Sequence, residues 1–155
     1  MAISLQAQTE RWPIAGAFRI ARGAKTEACV VTVRLAQDGA AGWGECVPYA
    51  RYGETPEGVL AQIEAIRPLI ENGAGRDALG HAMPPGAARN ALDCALWDLE
   101  AKRAGAPVWA LAGLPEPGPV TTAFTLSLDE PDAMAQAARA AADYPLLKLK
   151  IGGAG

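Results

Sequence analysis

The chain has 155 residues, 14 basic and 17 acidic side chains, a formal net charge of −3, and half of its residues apolar. That length is about one domain with enough apolar content for a real core. The mild acidic balance without basic runs argues against nucleic acid and against anionic membrane surfaces as partners. No apolar stretch approaches the roughly 18 residues of a membrane span, and the start MAISLQAQTE has no leader character, so no export signal is expected. Cys29, Cys46 and Cys94 form no metal or redox spacing and read as reduced core thiols of a cytoplasmic protein. The 34 alanines point to closely packed helices with small side chains.

Residues 3–9 alternate Ile3, Leu5 and Ala7 against Ser4, Gln6 and Gln8, the period-2 pattern of a half-buried strand. From Trp12 to Ala28 the alternation fails, and Pro13, Gly16 and Gly23 make this stretch read as a long loop, a feature that in compact domains is usually functional or disordered. Cys29–Leu35 is a β-branched run, Asp38-Gly39 a turn signal and Gly42–Val47 a third strand, so an antiparallel meander is expected. A second loop, Pro48–Glu54, leads to Thr55-Pro56, an N-cap followed by a first-turn proline. Val59, Leu60, Ile63, Ile66, Leu69 and Ile70 then recur at helical spacing. Pro84-Pro85 is expected to open a second helix running to about Gly105, with Ala88, Ala91, Leu92, Ala95, Leu96 and Leu99 on its buried face, and Pro107 a short third one. LPEPGP at 114–119 reads as a linker. Beyond it a strand over Val120–Leu128, a helix over about Pro131–Asp143 capped by Asp129, and a strand over Leu146–Ile151 make a βαβ unit with parallel strands.

The strongest chemical signal is Leu147-Lys148-Leu149-Lys150-Ile151. Residues two apart on a strand share a face, so both lysines point the same way, although a parallel strand normally reads as a continuous apolar run. Either this is an edge strand with a solvated face, or it is a barrel strand whose inner face lines a site. In the second case two like charges, partly desolvated, lower each other's pKa, and a lysine near neutral pKa can shuttle protons or form an imine. The single His81 reads as a loop residue, Gly152-Gly153 as a flexible turn, and Asp93 and Asp98 as capping or salt-bridge partners rather than a carboxylate dyad. Arg22, Lys25, Tyr49, Arg51 and Tyr52, in the two loops, are candidate ligands for an anionic substrate.

FRIARGAKTEACVVTVRL, GWGECVPYARYGE, GAARNALDCALWDLEAKRAGAPVWALAG, TTAFTLSLDEP and LKLKIGG together resemble the enolase superfamily, in its muconate-lactonising-type branch. The pairing of ARGAKTEA with GECVPYARYGE resembles more specifically the L-Ala-D/L-Glu (dipeptide) epimerases. The resemblance implies an α+β capping domain (a three-stranded antiparallel meander plus helices) over residues 1–112. A linker over 113–119 and the truncated start of a (β/α) TIM-type barrel over 120–155 would follow. It implies Lys150 as one of two opposed acid/base catalysts at the substrate α-carbon and Lys148 as the residue that binds the substrate carboxylate and helps depress the pKa of Lys150. Thr125 would be a further substrate contact, with Arg22, Lys25 and Tyr52 closing over the site to read the distal part of a dipeptide. It also implies Mg²⁺, with ligands expected beyond residue 155, and a homo-oligomer.

A barrel of this type takes roughly 250 residues, so the chain would be a partial form, inactive alone. Within the same superfamily the pattern also suits a muconate-type cycloisomerase, an o-succinylbenzoate synthase or an N-acylamino acid racemase. Outside it stand a Schiff-base aldolase barrel and a non-catalytic capping or assembly module.

Overall fold

The computed structural model describes residues 2–21 and 23–152. Three long strands come first: β1 (Ser4–Ile20), β2 (Gly23–Gln37) and β3 (Ala40–Cys46), in the order β1-β2-β3 of one antiparallel sheet. Asp38 and Gly39 both have positive φ, 52° and 83°. This is what a two-residue type I′ hairpin demands, and it sets the register from Gln37 opposite Ala40 to Val31 opposite Cys46. Val31, Val33 and Leu35 are fully buried, as are Gly42 and Gly44 across from them. The residues between turn outward.

The helices are α1 (Pro56–Glu71), α2 (Arg76–Ala82), α3 (Ala87–Ala104), α4 (Val108–Leu111) and α5 (Pro131–Ala140). As the sequence implies, Thr55 caps α1, its Oγ1 accepting from Gly58 N–H at 3.0 Å. Val59, Ile63 and Ile70 enter the core. The six α3 residues expected to face inward are all buried.

The decisive packing is α3 on β3. A Cβ at Gly44 would overlap the carbonyl oxygen of Ala91 and lie 2.8 Å from Ala95 N. One at Gly42 would overlap Ala95 O and Leu99 N. Glycine on the strand and alanine on the helix therefore let two backbones touch. At that distance α3 also supplies the polar partners that an edge strand lacks. Asp98 Oδ2 accepts from Trp43 N–H (2.8 Å), Lys102 Nζ donates to Ala41 O (2.9 Å) and Asn90 Nδ2 donates to Glu45 O (3.2 Å). Asp98 also holds Lys102 at 2.6 Å, as expected of a salt-bridge residue. Partial burial works to raise its carboxyl pKa, but the Lys102 ammonium and the Trp43 amide outweigh this and lower it. The other edge is covered by α1: Arg67 donates to Leu5 O, and Glu71 accepts from Leu5 N–H at 3.4 Å.

The chain divides into two compact units, Met1–Trp12 with Cys29–Glu116, and Pro13–Ala28 with Pro117–Gly155. The second contains β4 (Phe124–Leu126) and β5 (Leu147–Leu149), a parallel pair joined through α5. Leu126 is buried, but Leu149 is 53% and Ile151 82% exposed, so this sheet's apolar face is only partly covered.

Several expectations need correction. The stretch 12–28, expected as a loop, is mostly strand: residues 12–20 belong to β1 and 23–28 to β2. Their side chains are mostly exposed on both faces, so no alternation of apolar and polar residues marks them as strand. Residues 76–82, unassigned by the sequence, form α2, and His81 sits in its last turn with Nδ1 2.7 Å from Asp77 O. The helix expected at Pro84 starts at Ala87. Strand pairing in the second unit covers three residues on each side, less than the expected spans. Glu130, not Asp129, is the N-cap of α5, and Asp129 Oδ1 accepts from Glu130 N–H. Of the three free thiols only Cys46 is buried, its pKa pushed up to about 11 chiefly by desolvation; Cys29 is half-buried and Cys94 exposed.

Two outcomes follow from this packing. Gly44→Ala forces α3 off β3 and is expected to lower stability by about 3 kcal/mol. Gly80→Ala, with open space around its Cβ in a helix interior, is expected to raise stability by about 0.5–1 kcal/mol; urea unfolding measures both, and equal effects would refute the packing. In hydrogen exchange, amides of 124–126 and 147–149 are expected to exchange much faster than those of 31–35, because a two-stranded sheet with an uncovered face opens easily. Equal protection in a monomer would contradict this.

Candidate functional site

In the second unit Thr125 lies directly opposite Lys148 across the parallel β4–β5 pair. Lys150 N–H donates to Leu126 O at 3.0 Å, carrying the ladder one residue beyond β5. With side chains alternating along a strand, Thr125, Lys148 and Lys150 project from one face. Thr125 and Lys150 are half-buried and Lys148 is exposed. A hydroxyl and two ammonium groups on one sheet face make a donor-rich surface suited to a carboxylate. Next to it is a shallow cavity of about 210 Å³ lined by Ile20, Ala21, Lys150 and Ile151.

Gly152 is more than a flexible turn. A Cβ there would stand 2.8 Å from the Ala21 Cβ, so the missing side chain is what lets the hairpin and the end of the lysine strand approach. Lys25 belongs to the same unit but lies on β2, exposed, rather than in a loop. Arg22 lies outside the described residues.

Tyr52 belongs to the first unit. It ends a 3-10 turn over Ala50–Tyr52, is 76% exposed, and its ring centroid lies 5.5 Å from that of Tyr49. Glu54 builds this turn: Oε2 accepts from Tyr49 N–H (3.0 Å) and Oε1 from Ala87 N–H (2.7 Å), one of the first free amides of α3. Those two amides hold the Glu54 carboxyl below the ordinary carboxylate range. Gly53, at φ 74°, takes the left-handed conformation that closes the turn. Sequence reasoning missed Glu54 because its second partner is 33 residues away and nothing local reports it.

Among the described residues no group of three or more His, Cys, Asp or Glu is placed to hold a metal ion. The carboxylates of the described residues therefore do not fit a magnesium site. None of the described helices is long and apolar enough to cross a membrane.

Comparison with known proteins places the chain in a family. The chain is 47% identical over 144 residues to the L-Ala-D/L-Glu epimerase of Escherichia coli, covering 92% of this chain and 45% of that protein. A crystal structure of an enolase family member from Agrobacterium tumefaciens with homology to dipeptide epimerases, with bound sodium and L-Ala-L-Glu, is 50% identical. It superposes with a TM-score of 0.92 over 99% of this chain and 47% of that one. The dipeptide epimerase of Cytophaga hutchinsonii, complexed with Mg and D-Ala-L-Val, is 27% identical, with a TM-score of 0.86 over 99% of this chain and 45% of that one. The chain thus spans under half the length of these relatives. Residues 2–113 match the N-terminal domain of the mandelate racemase / muconate lactonizing enzyme family, and with its three-stranded antiparallel sheet and helices the chain belongs to that family, within the enolase superfamily.

Proposed function

We propose that this chain supplies the N-terminal part of a magnesium-dependent dipeptide epimerase of the L-Ala-D/L-Glu type, with Lys150 moving a proton at the substrate α-carbon. The observation that carries this reading is the placing of Thr125 opposite Lys148, with Lys150 next along the same face. The substrates named for the relatives support it. In this reading residues 1–112 are a capping domain, 113–119 a linker and 120–155 the first βαβ unit of a barrel. The protein would act on a small dipeptide in the cytoplasm, as a homo-oligomer.

Lys148, on the same face, would hydrogen-bond the substrate carboxylate through its ammonium group. Lys150 would take the α-proton on one face, while a base outside this chain works on the other. Thr125 would contact the substrate beside Lys148, and Arg22, Lys25 and Tyr52 would read the distal residue of the dipeptide. Magnesium ligands are expected beyond residue 155.

In a protein carrying this segment together with the remaining length of its relatives, Lys150→Ala is expected to cut epimerisation by about 10²–10⁴-fold in both directions. Exchange of the α-proton with solvent deuterium is expected to survive from one stereoisomer only, through the opposing base. Lys150→Arg does no better, since a guanidinium stays protonated, whereas Lys148→Ala weakens exchange from both isomers. Two-sided exchange in Lys150→Ala would sink the assignment. The 155-residue chain alone is expected to catalyse no exchange. Its melting temperature is expected to be unmoved by millimolar Mg²⁺, since a ligand that binds the native state would raise it; a Mg²⁺-dependent rise would show that the metal site lies within these residues.

A further inference from the structure

Within the second unit, the hydroxyl of Ser127 makes hydrogen bonds on both sides of one hairpin residue. Ser127 Oγ donates to Ala17 O at 3.1 Å and accepts from Arg19 N–H at 3.3 Å. Leu128 N–H donates to Arg19 O at 3.0 Å, and the Arg19 guanidinium stands 4.0 Å from Asp129 Oδ1. Held between Ala17 and Arg19 is Phe18, whose ring centroid lies 5.8 Å from Nζ of Lys150. This is within the range in which the negative face of a ring attracts an ammonium. Beyond Lys150, the contact of Gly152 with Ala21 brings the same hairpin against the strand a second time.

Ser127 follows Thr125 by two residues, which continues the face carrying Thr125, Lys148 and Lys150. A lysine side chain has four rotatable carbons and wanders unless something fixes its head group. A carboxylate partner would fix it but would also hold the proton on nitrogen. A ring fixes it by a weaker, non-acceptor contact.

We propose that Ser127 and Phe18 form a positioning device for Lys150: the hydroxyl seats the hairpin on either side of Phe18, and the ring then sets where the Lys150 ammonium stands. The catalytic meaning of this device rests on Lys150 acting as the proton carrier; the device itself does not.

The test is NMR on the 155-residue chain, whose four lysines (Lys25, Lys102, Lys148 and Lys150) keep the ε-methylene region simple. The Lys150 ε-methylene protons are expected to resonate upfield of free lysine through the ring current and to show an Overhauser contact to the Phe18 ring. Phe18→Leu is expected to abolish both signals and Phe18→Tyr to keep both. Ser127→Ala is expected to diminish both while the backbone spectrum of the first unit stays unchanged. An unshifted Lys150 in the parent chain, or a shift that persists in Phe18→Leu or is undiminished in Ser127→Ala, would overturn the proposal. Should these signals behave as expected while a longer Lys150→Ala enzyme keeps two-sided exchange, the device stands and the assignment of Lys150 as base falls.

Discussion

The first unit depends on the contact of two backbones, β3 and α3. Gly42 and Gly44 on the strand meet Ala91, Ala95 and Leu99 on the helix with no room for a further carbon atom. Close approach does two things at once. It excludes water from Val33, Leu35, Leu92 and Leu96, each side chain contributing roughly 1.5–3 kcal/mol through burial. It also brings Asn90, Asp98 and Lys102 within hydrogen-bond reach of the free edge of β3. An exposed strand edge invites pairing with other chains, and here helix side chains occupy the groups that another strand would use.

The position of α3 fixes more than the core. Its first amide, Ala87 N–H, is a ligand of Glu54, and Glu54 in turn holds the amide of Tyr49. The exposed turn bearing Tyr52 is therefore tied to the start of α3 through one carboxylate. Loops that carry function on a stiff scaffold are common, and here the linkage can be named atom by atom.

The second unit is built on a different principle. Its two-stranded sheet buries little: Leu149 in β5, and Val120 and Ile151 flanking the pair, are exposed, and its contacts mix strand pairing, ring stacking and side-chain hydrogen bonds. Parallel pairing places Thr125 against Lys148, the Phe124 and Tyr144 rings stack with centroids 4.3 Å apart, and Ser127 ties the hairpin to the segment after β4. Lys148 is exposed and Lys150 half-buried, whereas a parallel strand covered on both faces would carry a continuous apolar run.

By itself, the sequence determined the elements whose signals are local. The Thr55-Pro56 start of α1, the apolar face of α3, the Asp38-Gly39 turn and the shared face of Lys148 and Lys150 all follow from periodicity, capping and turn chemistry within a few residues. The family, too, was legible in short motifs. Tertiary structure alone decided what depends on distant partners. Residues 12–20 and 23–28 are strand because β1 and β2 pair with each other, although their exposed side chains carry no alternation. Helix α2 has Leu79 as its single buried residue, too little for a period to show. Glu54 finds Ala87 33 residues away, and Ser127 finds Ala17 across 110 residues. Local propensity sets which conformations are cheap; which distant surfaces then meet is settled by packing, and most of the candidate site lies on that side.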